Sequence, residues 1–282
     1  MPELPEVETV RRQLEPRLRG AEVTGAWAFP STKFTDATAV VGARLASVGR
    51  RGKYLIVGLD GPSGTPGREL VVHLGMTGRL AVRPADPAAG RDTDPAAARS
   101  PYLRACWQLG DGRTLEFHDV RRFGRVAVVP AGDYGRLTTL AQLGPEPWDP
   151  AFDGPSLRSY VNARRRYVKT LLLSQRPVAG VGNIYADEAL WRAQVHPQSR
   201  RLTRVQADRL AQAVRDVLDE GVAHGGTTLR DYRDADGAEG TNQHRLDCYG
   251  RGGAPCHRCG STLRQTVVDA RGTTFCPSCQ RR

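Results

Sequence analysis

The sequence predicts an α+β protein: an N-terminal helix with a β-sandwich, a hinge, a helical domain, and a small cysteine module carrying a β-hairpin. Three observations carry that expectation. Residues 2–19 place Val7, Val10, Leu14 and Leu18 at helical spacing, with prolines near the start and Gly20 after the end. From Ala21 to Val129 short β-like runs are separated by glycine turns. Beyond residue 155 the apolar spacing becomes helical, and the last segment holds two C-x₂-C pairs.

The β-like runs are 45–59, 69–82, 105–119 and 124–129, which together account for a sandwich or a barrel. Residues 84–101 are rich in Pro, Ala and Asp without periodicity and read as a surface loop. Gly and Pro then cluster over 133–155, the expected hinge. Helical patterns follow at 156–165, 168–175, 183–194 and 203–222, before a loop-like stretch from Gly225. The expected division is 1–132, hinge 133–155, helical domain 156–224, loop 225–245 and metal module 246–282. A length of 282 residues suits two domains.

A formal charge of +11 and a pI near 9.8 invite a polyanion, because basic surfaces release counterions from nucleic-acid phosphates. A basic protein kept soluble by its charge fits composition alone equally well. No run of eighteen apolar residues and no signal-peptide pattern occurs, so a cytoplasmic protein without membrane contact is expected. Among 41 basic residues only Lys33, Lys53 and Lys169 are lysine. A lysine retained in so arginine-rich a chain is a candidate for work that needs a compact ammonium or a proton donor.

Cys256, Cys259, Cys276 and Cys279 form two knuckles that can offer four thiolates to one tetrahedral zinc per chain. Two disulfides would use the same residues, but a chain without a secretion signal favours the metal. Four protein ligands leave no position for water, so the zinc would hold the fold and do no chemistry. Residues 263–275 between the knuckles read as a β-hairpin bearing Arg264 and Arg271, while Cys106 and Cys248 read as small buried apolar residues.

Removal of Met1 would make Pro2 the terminal residue, with a secondary amine titrating near neutrality, at about 7.7–8. Such an amine can attack a sugar's anomeric carbon and form an iminium whose neighbouring C–H bonds are acidic. Glu3 and Glu6 would place carboxylates at the same spot. On spacing alone, Pro and Glu in a first helical turn are ordinary capping residues.

The opening Met1-Pro2-Glu3-Leu4-Pro5-Glu6-Val7-Glu8-Thr9 resembles that of bacterial formamidopyrimidine-DNA glycosylases, of the formamidopyrimidine-DNA glycosylase and endonuclease VIII family. The resemblance continues through Gly52-Lys53-Tyr54, the run 73–78 (HLGMTG), Arg121-Arg122-Phe123-Gly124, the run 180–188 (GVGNIYADE), Gly225-Gly226-Thr227-Thr228-Leu229, Tyr249-Gly250-Arg251 and the cysteine tail. It implies a helix-two-turn-helix DNA-binding domain with a zinc-finger hairpin. It also implies a monomeric base-excision-repair enzyme acting on duplex DNA that contains oxidised bases. That enzyme would excise oxidised purines and then cut the strand by β,δ-elimination.

By that resemblance Pro2 is the Schiff-base nucleophile and Glu3 its acid/base. Lys53 grips a phosphate and donates a proton in β-elimination, and Arg271 serves phosphate gripping and δ-elimination. Glu6 and Glu188 match carboxylates packed near the terminal amine. Met76, Arg121 and Phe123 match three residues that fill the space of a flipped nucleotide, and Phe123 in a polar turn suits an exposed wedge. Asn183, with Arg165 and Lys169 nearby, matches a phosphate site at the glycine turn 180–183, where backbone N–H groups open a helix. The loop 225–245 resembles the lesion-capping loop of the oxidised-purine enzymes.

Three positions depart from the family pattern. Tyr102 stands where a DNA-contacting histidine is usual, with Arg104 beside it as a substitute contact. Asp119-Val120 replaces Asp-Pro, and Thr241-Asn242 replaces an aromatic in the capping loop. An oxidised-pyrimidine specificity is the nearest alternative. A damage-binding protein without catalysis would have no use for Pro2, Glu3 and Lys53 together, and an unrelated zinc-ribbon protein leaves the N-terminal match unexplained.

Overall fold

The computed structural model describes residues 2–60, 67–85 and 100–282, which form two compact units. Most of the expected surface loop 84–101 lies outside the described residues. The first unit comprises Glu6–Ala141 and Gly225–Gly240, with Pro2; the second comprises Glu3–Pro5, Gln142–His224 and Thr241–Arg282. The loop 225–245 is therefore divided between the two.

Helix α1 (Leu4–Leu18) belongs to the first unit from Glu6 onward, where it turns Val7, Val10, Leu14 and Leu18 inward, each at most 1% exposed. Burial of such side chains contributes about 1.5–3 kcal/mol each, which is what makes the amphipathic pattern decisive. The strands are β1 (Val23–Ala28), β2 (Arg44–Arg51), β3 (Tyr54–Asp60), β4 (Arg68–His73), β5 (Gly78–Arg83), β6 (Leu103–Leu109), β7 (Thr114–Asp119) and β8 (Arg125–Pro130). They make two antiparallel sheets, in the orders β1-β6-β7-β5 and β2-β3-β4-β8. Leu55, Val57, Leu70 and Val72 of one sheet share a core with Leu80, Trp107, Leu115 and Phe117 of the other, so the sandwich expectation holds. The sequence runs had not isolated β1, whose residues are only partly buried beyond Val23.

The second unit is helical. Following the short α2 (Thr138–Ala141) of the first unit, it contains α3 (Gly154–Arg164), α4 (Val168–Leu173), α5 (Asn183–Arg192) and α6 (Arg204–Ala223). Asp153 with Ser156, and Thr203 with Gln206, form reciprocal capping boxes that fix where α3 and α6 begin. Leu4, Leu157, Val161, Leu172, Ile184, Leu190, Leu210 and Val214 contribute to its core. The hairpin β9 (Arg264–Val268) and β10 (Arg271–Phe275) pairs Arg271 with Val268. No described helix is long and apolar enough to cross a membrane.

Candidate active-site residues

In the first unit, Gly52 and Lys53 form the two-residue turn between β2 and β3, where Arg51 faces Tyr54. Gly52 has φ +56°, the left-handed backbone that so tight a hairpin requires. Lys53 is buried to 4% exposure at this turn. His73, paired with Tyr54 across β3–β4, packs its ring 4.6 Å from the Tyr54 ring. Burial, then the charges of Lys53 and Arg125, push His73 down to about 4, so it is a neutral imidazole beside the lysine. In the sequence His73 only opens the run 73–78, and no local signal marks it as the neighbour of Lys53.

Met76, Arg121 and Phe123 come together through two loops held back to back. Asp119, fully buried, accepts from Thr77 Oγ1 at 2.6 Å and from the Gly124 amide at 2.7 Å. The Arg121 amide donates to Thr77 Oγ1 at 3.1 Å. Gly75 lies so close that a Cβ there would sit 2.5 Å from the Gly124 nitrogen, and its φ is +68°. Held this way, Phe123 is 49% exposed, Arg121 is exposed with its guanidinium 4.8 Å from the Phe123 ring, and Met76 is half-buried. Phe123 is thus not a core residue. Lys33, the third lysine, donates to the Arg122 carbonyl at 2.8 Å and lies 5.9 Å from the same ring.

Tyr102 is 48% exposed and lines a cavity of about 570 Å³ with Thr77, Arg79, Glu116, His118 and Asp231. Arg104 corrects the expectation that it could replace a DNA contact. It is 2% exposed, and its guanidinium donates to the carbonyls of Asp119, Pro101 and Leu103 at 2.9–3.0 Å. The segment 225–240 is tied to α1: Glu6 accepts from the Thr227 amide at 2.6 Å, and Gln13 donates to Asp234 at 2.8 Å.

In the second unit, the Glu3 carboxylate lies at the N-terminus of α5. It accepts from the amides of Gly182 at 2.6 Å, Ile184 at 2.9 Å and Tyr185 at 3.5 Å. These are N–H groups a helix cannot satisfy internally, and an anion is their natural partner. The expectation that they bind a DNA phosphate is therefore corrected: the anion they hold is the protein's own. Asn183 is half-buried and donates to the Gly272 carbonyl at 3.1 Å.

Lys169 is a third correction, because it is 0% exposed and its ammonium is taken up inside the protein. Its ammonium lies 2.6 Å from Asp187 and donates to Gly272 O at 3.0 Å and Thr273 Oγ1 at 2.8 Å. Burial drives both partners toward neutrality, lowering Lys169 and raising Asp187 to about 6, against their mutual attraction. Glu188 serves the fold: its carboxylate accepts the amides of Asp247, Cys248 and Tyr249 at 2.6–2.9 Å. Arg165, exposed, closes α3 in a left-handed conformation, and Arg271 is exposed at the start of β10.

Sγ atoms of Cys256, Cys259, Cys276 and Cys279 all lie within 4.8 Å of one another, with Cys259 and Cys276 3.5 Å apart. A tetrahedral zinc at about 2.3 Å from each sulfur needs sulfurs about 3.8 Å apart, so the set fits a structural zinc. Trp191 donates its indole N–H to Cys256 Sγ at 3.3 Å, and the Cys279 amide to Cys276 Sγ at 3.4 Å, as thiolate ligands require. Cys106 and Cys248 are buried outside the set, as expected.

Residues 1–126 match the formamidopyrimidine-DNA glycosylase N-terminal domain, 143–233 the H2TH domain of the same glycosylases, and 253–282 the zinc finger found in FPG and IleRS. The formamidopyrimidine-DNA glycosylase of Thermus thermophilus is 45% identical over 99% of this chain and 98% of its own. The crystal structure of the Thermus thermophilus MutM (Fpg) protein superimposes with a TM-score of 0.87, covering 99% of this chain and 98% of that one. A Lactococcus lactis Fpg mutant in complex with Fapy-dG-containing DNA is 32% identical with a TM-score of 0.85, covering all of both chains. The Lactococcus lactis Fpg with abasic-site DNA is 31% identical with a TM-score of 0.84, over 99% and 100% of the two chains.

Proposed function

The chain belongs to the formamidopyrimidine-DNA glycosylase family, and on that premise we propose which of its residues perform the reaction on damaged duplex DNA. The enzyme is a bifunctional glycosylase and AP lyase of base excision repair, acting on formamidopyrimidines and 8-oxoguanine. The observation that carries the assignment is the Glu3 carboxylate, buried to 2% exposure and fixed by the amides of Gly182, Ile184 and Tyr185 at the N-terminus of α5, on the residue next to Pro2. A nucleophile and an acid/base supplied by consecutive residues need only one anchored backbone to be presented together.

In this reading the Pro2 nitrogen, a secondary amine once Met1 is removed, forms a bond to the sugar's anomeric carbon as the base leaves with its electron pair. Glu3 takes the proton that the nitrogen gives up on bond formation and passes it to the ring oxygen as the sugar opens to the iminium. Loss of a C2′ proton then expels the 3′ phosphate, with Lys53 as proton donor and phosphate partner. A second elimination, assisted by Arg271, expels the 5′ phosphate. Met76, Arg121 and Phe123 occupy the space of the extruded nucleotide, with Arg121 reading the base left behind. Asn183, Arg165 and Tyr102 contact the backbone. The four cysteines hold a zinc that does no chemistry and keeps the hairpin of Arg271 formed.

The test is borohydride trapping on a duplex with one 8-oxoguanine opposite cytosine. Reduction of the iminium should leave DNA covalently attached to Pro2, and Pro2→Gly should bind the duplex yet lose the adduct. A peptide map that put the adduct on Lys53 would overturn the assignment.

A further inference from the structure

Helix α5 grips more than Glu3. Counting outward from Arg271, Asn183 and Lys169 both donate to Gly272 O, Lys169 donates to Thr273 Oγ1, and Asp187 Oδ2 accepts from the Thr274 amide at 2.9 Å. Three successive residues of β10 are thus held by side chains of α4 and α5. The turn before them is held too, by Thr170 donating to Asp269. That turn has Asp269 at φ +46° and Ala270 at φ +60°, left-handed values that disfavour alanine. A two-stranded hairpin on such a turn is marginal by itself.

Lys169 and Asp187 are 0% and 1% exposed, and a buried ion pair brings no more stability than well-packed apolar side chains. Its directed bonds do what apolar side chains cannot, which is to set the register of one strand. Resting on the assignment of Arg271 to the second elimination, we infer that Lys169 and Asp187 are a buried clamp that aims Arg271 by fixing β10. They are positioning residues, and α5 is the common reference for Glu3 at the first step and Arg271 at the last.

The experiment uses the whole zinc-loaded enzyme on a duplex with a pre-formed abasic site, resolving singly from doubly eliminated 3′ ends. The variant Lys169→Met/Asp187→Leu removes both charges and keeps the space filled. It should keep its zinc, melt near the parent temperature and make the first cut within about twofold of the parent rate. Misplacement by about 1 Å can cost on the order of a hundredfold, so its ratio of double to single elimination should fall about tenfold or more. Hydrogen exchange at the Thr274 amide should accelerate by a similar factor. Asp187→Asn, which keeps an acceptor for that amide, should recover most of the ratio, and adding Arg271→Ala to the clamp variant should lower it no further.

A parent-like ratio in the clamp variant, beside a lowered ratio in Arg271→Ala, would overturn the clamp alone. A parent-like ratio in Arg271→Ala would overturn the assignment of Arg271 and the aiming role with it. Equal losses in both cuts with a lowered melting temperature would reduce the pair to a structural role.

Discussion

Phe123 is half exposed while Asp119, four residues earlier, is fully buried, and the two positions do opposite work in one loop. Removing the Phe123 ring takes away a wedge against re-stacking, and extrusion of a base costs a few kcal/mol. Phe123→Ala should therefore slow excision of a paired lesion by about tenfold and leave cleavage at a pre-formed abasic site nearly unchanged. Its stability should move by about 0.5 kcal/mol or less, as at other exposed positions. Asp119→Ala should instead leave the Gly124 amide and the Thr77 hydroxyl without their acceptor, at about 1–3 kcal/mol each. That change should lower the melting temperature and affect both substrates. Single-turnover rates beside melting curves distinguish the two patterns, and a destabilised Phe123→Ala with equal losses would refute the wedge.

At the scale of the element, α1 carries an acid-sensitive anchor. Burial alone would raise Glu8, but hydrogen bonds from Arg11, Arg12 and Arg50 at 2.8–3.1 Å prevail and hold it at about 2. Its contribution is complete above the ordinary 4.5 and is lost as pH falls toward 2. His73 in β4 acts at milder acidity: its depressed value makes stability complete above 6.5 and progressively lost toward 4. Glu8→Gln should cost about 2 kcal/mol at pH 7 and flatten the pH dependence of urea unfolding below 4.5, which His73→Asn should flatten between 4 and 6.5. The hairpin is the second such element. Zinc removal by a chelator, or Cys276→Ser, should disorder β9 and β10 and weaken binding to abasic duplex, as read by fluorescence anisotropy. Full activity in protein that elemental analysis finds free of zinc would sink that assignment.

For the whole molecule, 41 basic against 30 acidic residues make phosphate neutralisation the main source of non-specific affinity. If about six phosphates are engaged, binding to undamaged duplex should fall by roughly a thousandfold between 50 and 200 mM salt. A nearly flat salt dependence would show that the charge is not a binding surface. The sequence by itself determined α1, most strands, the helices α3 to α6 and the two cysteine knuckles. These rest on local period, turn residues and short ligand spacing, which a chain displays before it folds. It also marked Lys53, Phe123 and Asn183 as sites of interest, through motifs. Only the tertiary structure decided the partners of the buried charges. Glu3 meets the Gly182 amide 179 residues away, and Lys169 reaches Gly272 across 103. A lysine reads the same in sequence whether it faces a phosphate or an aspartate. The difference lies in desolvation, which depends on what the folded chain brings around it and not on its neighbours in sequence.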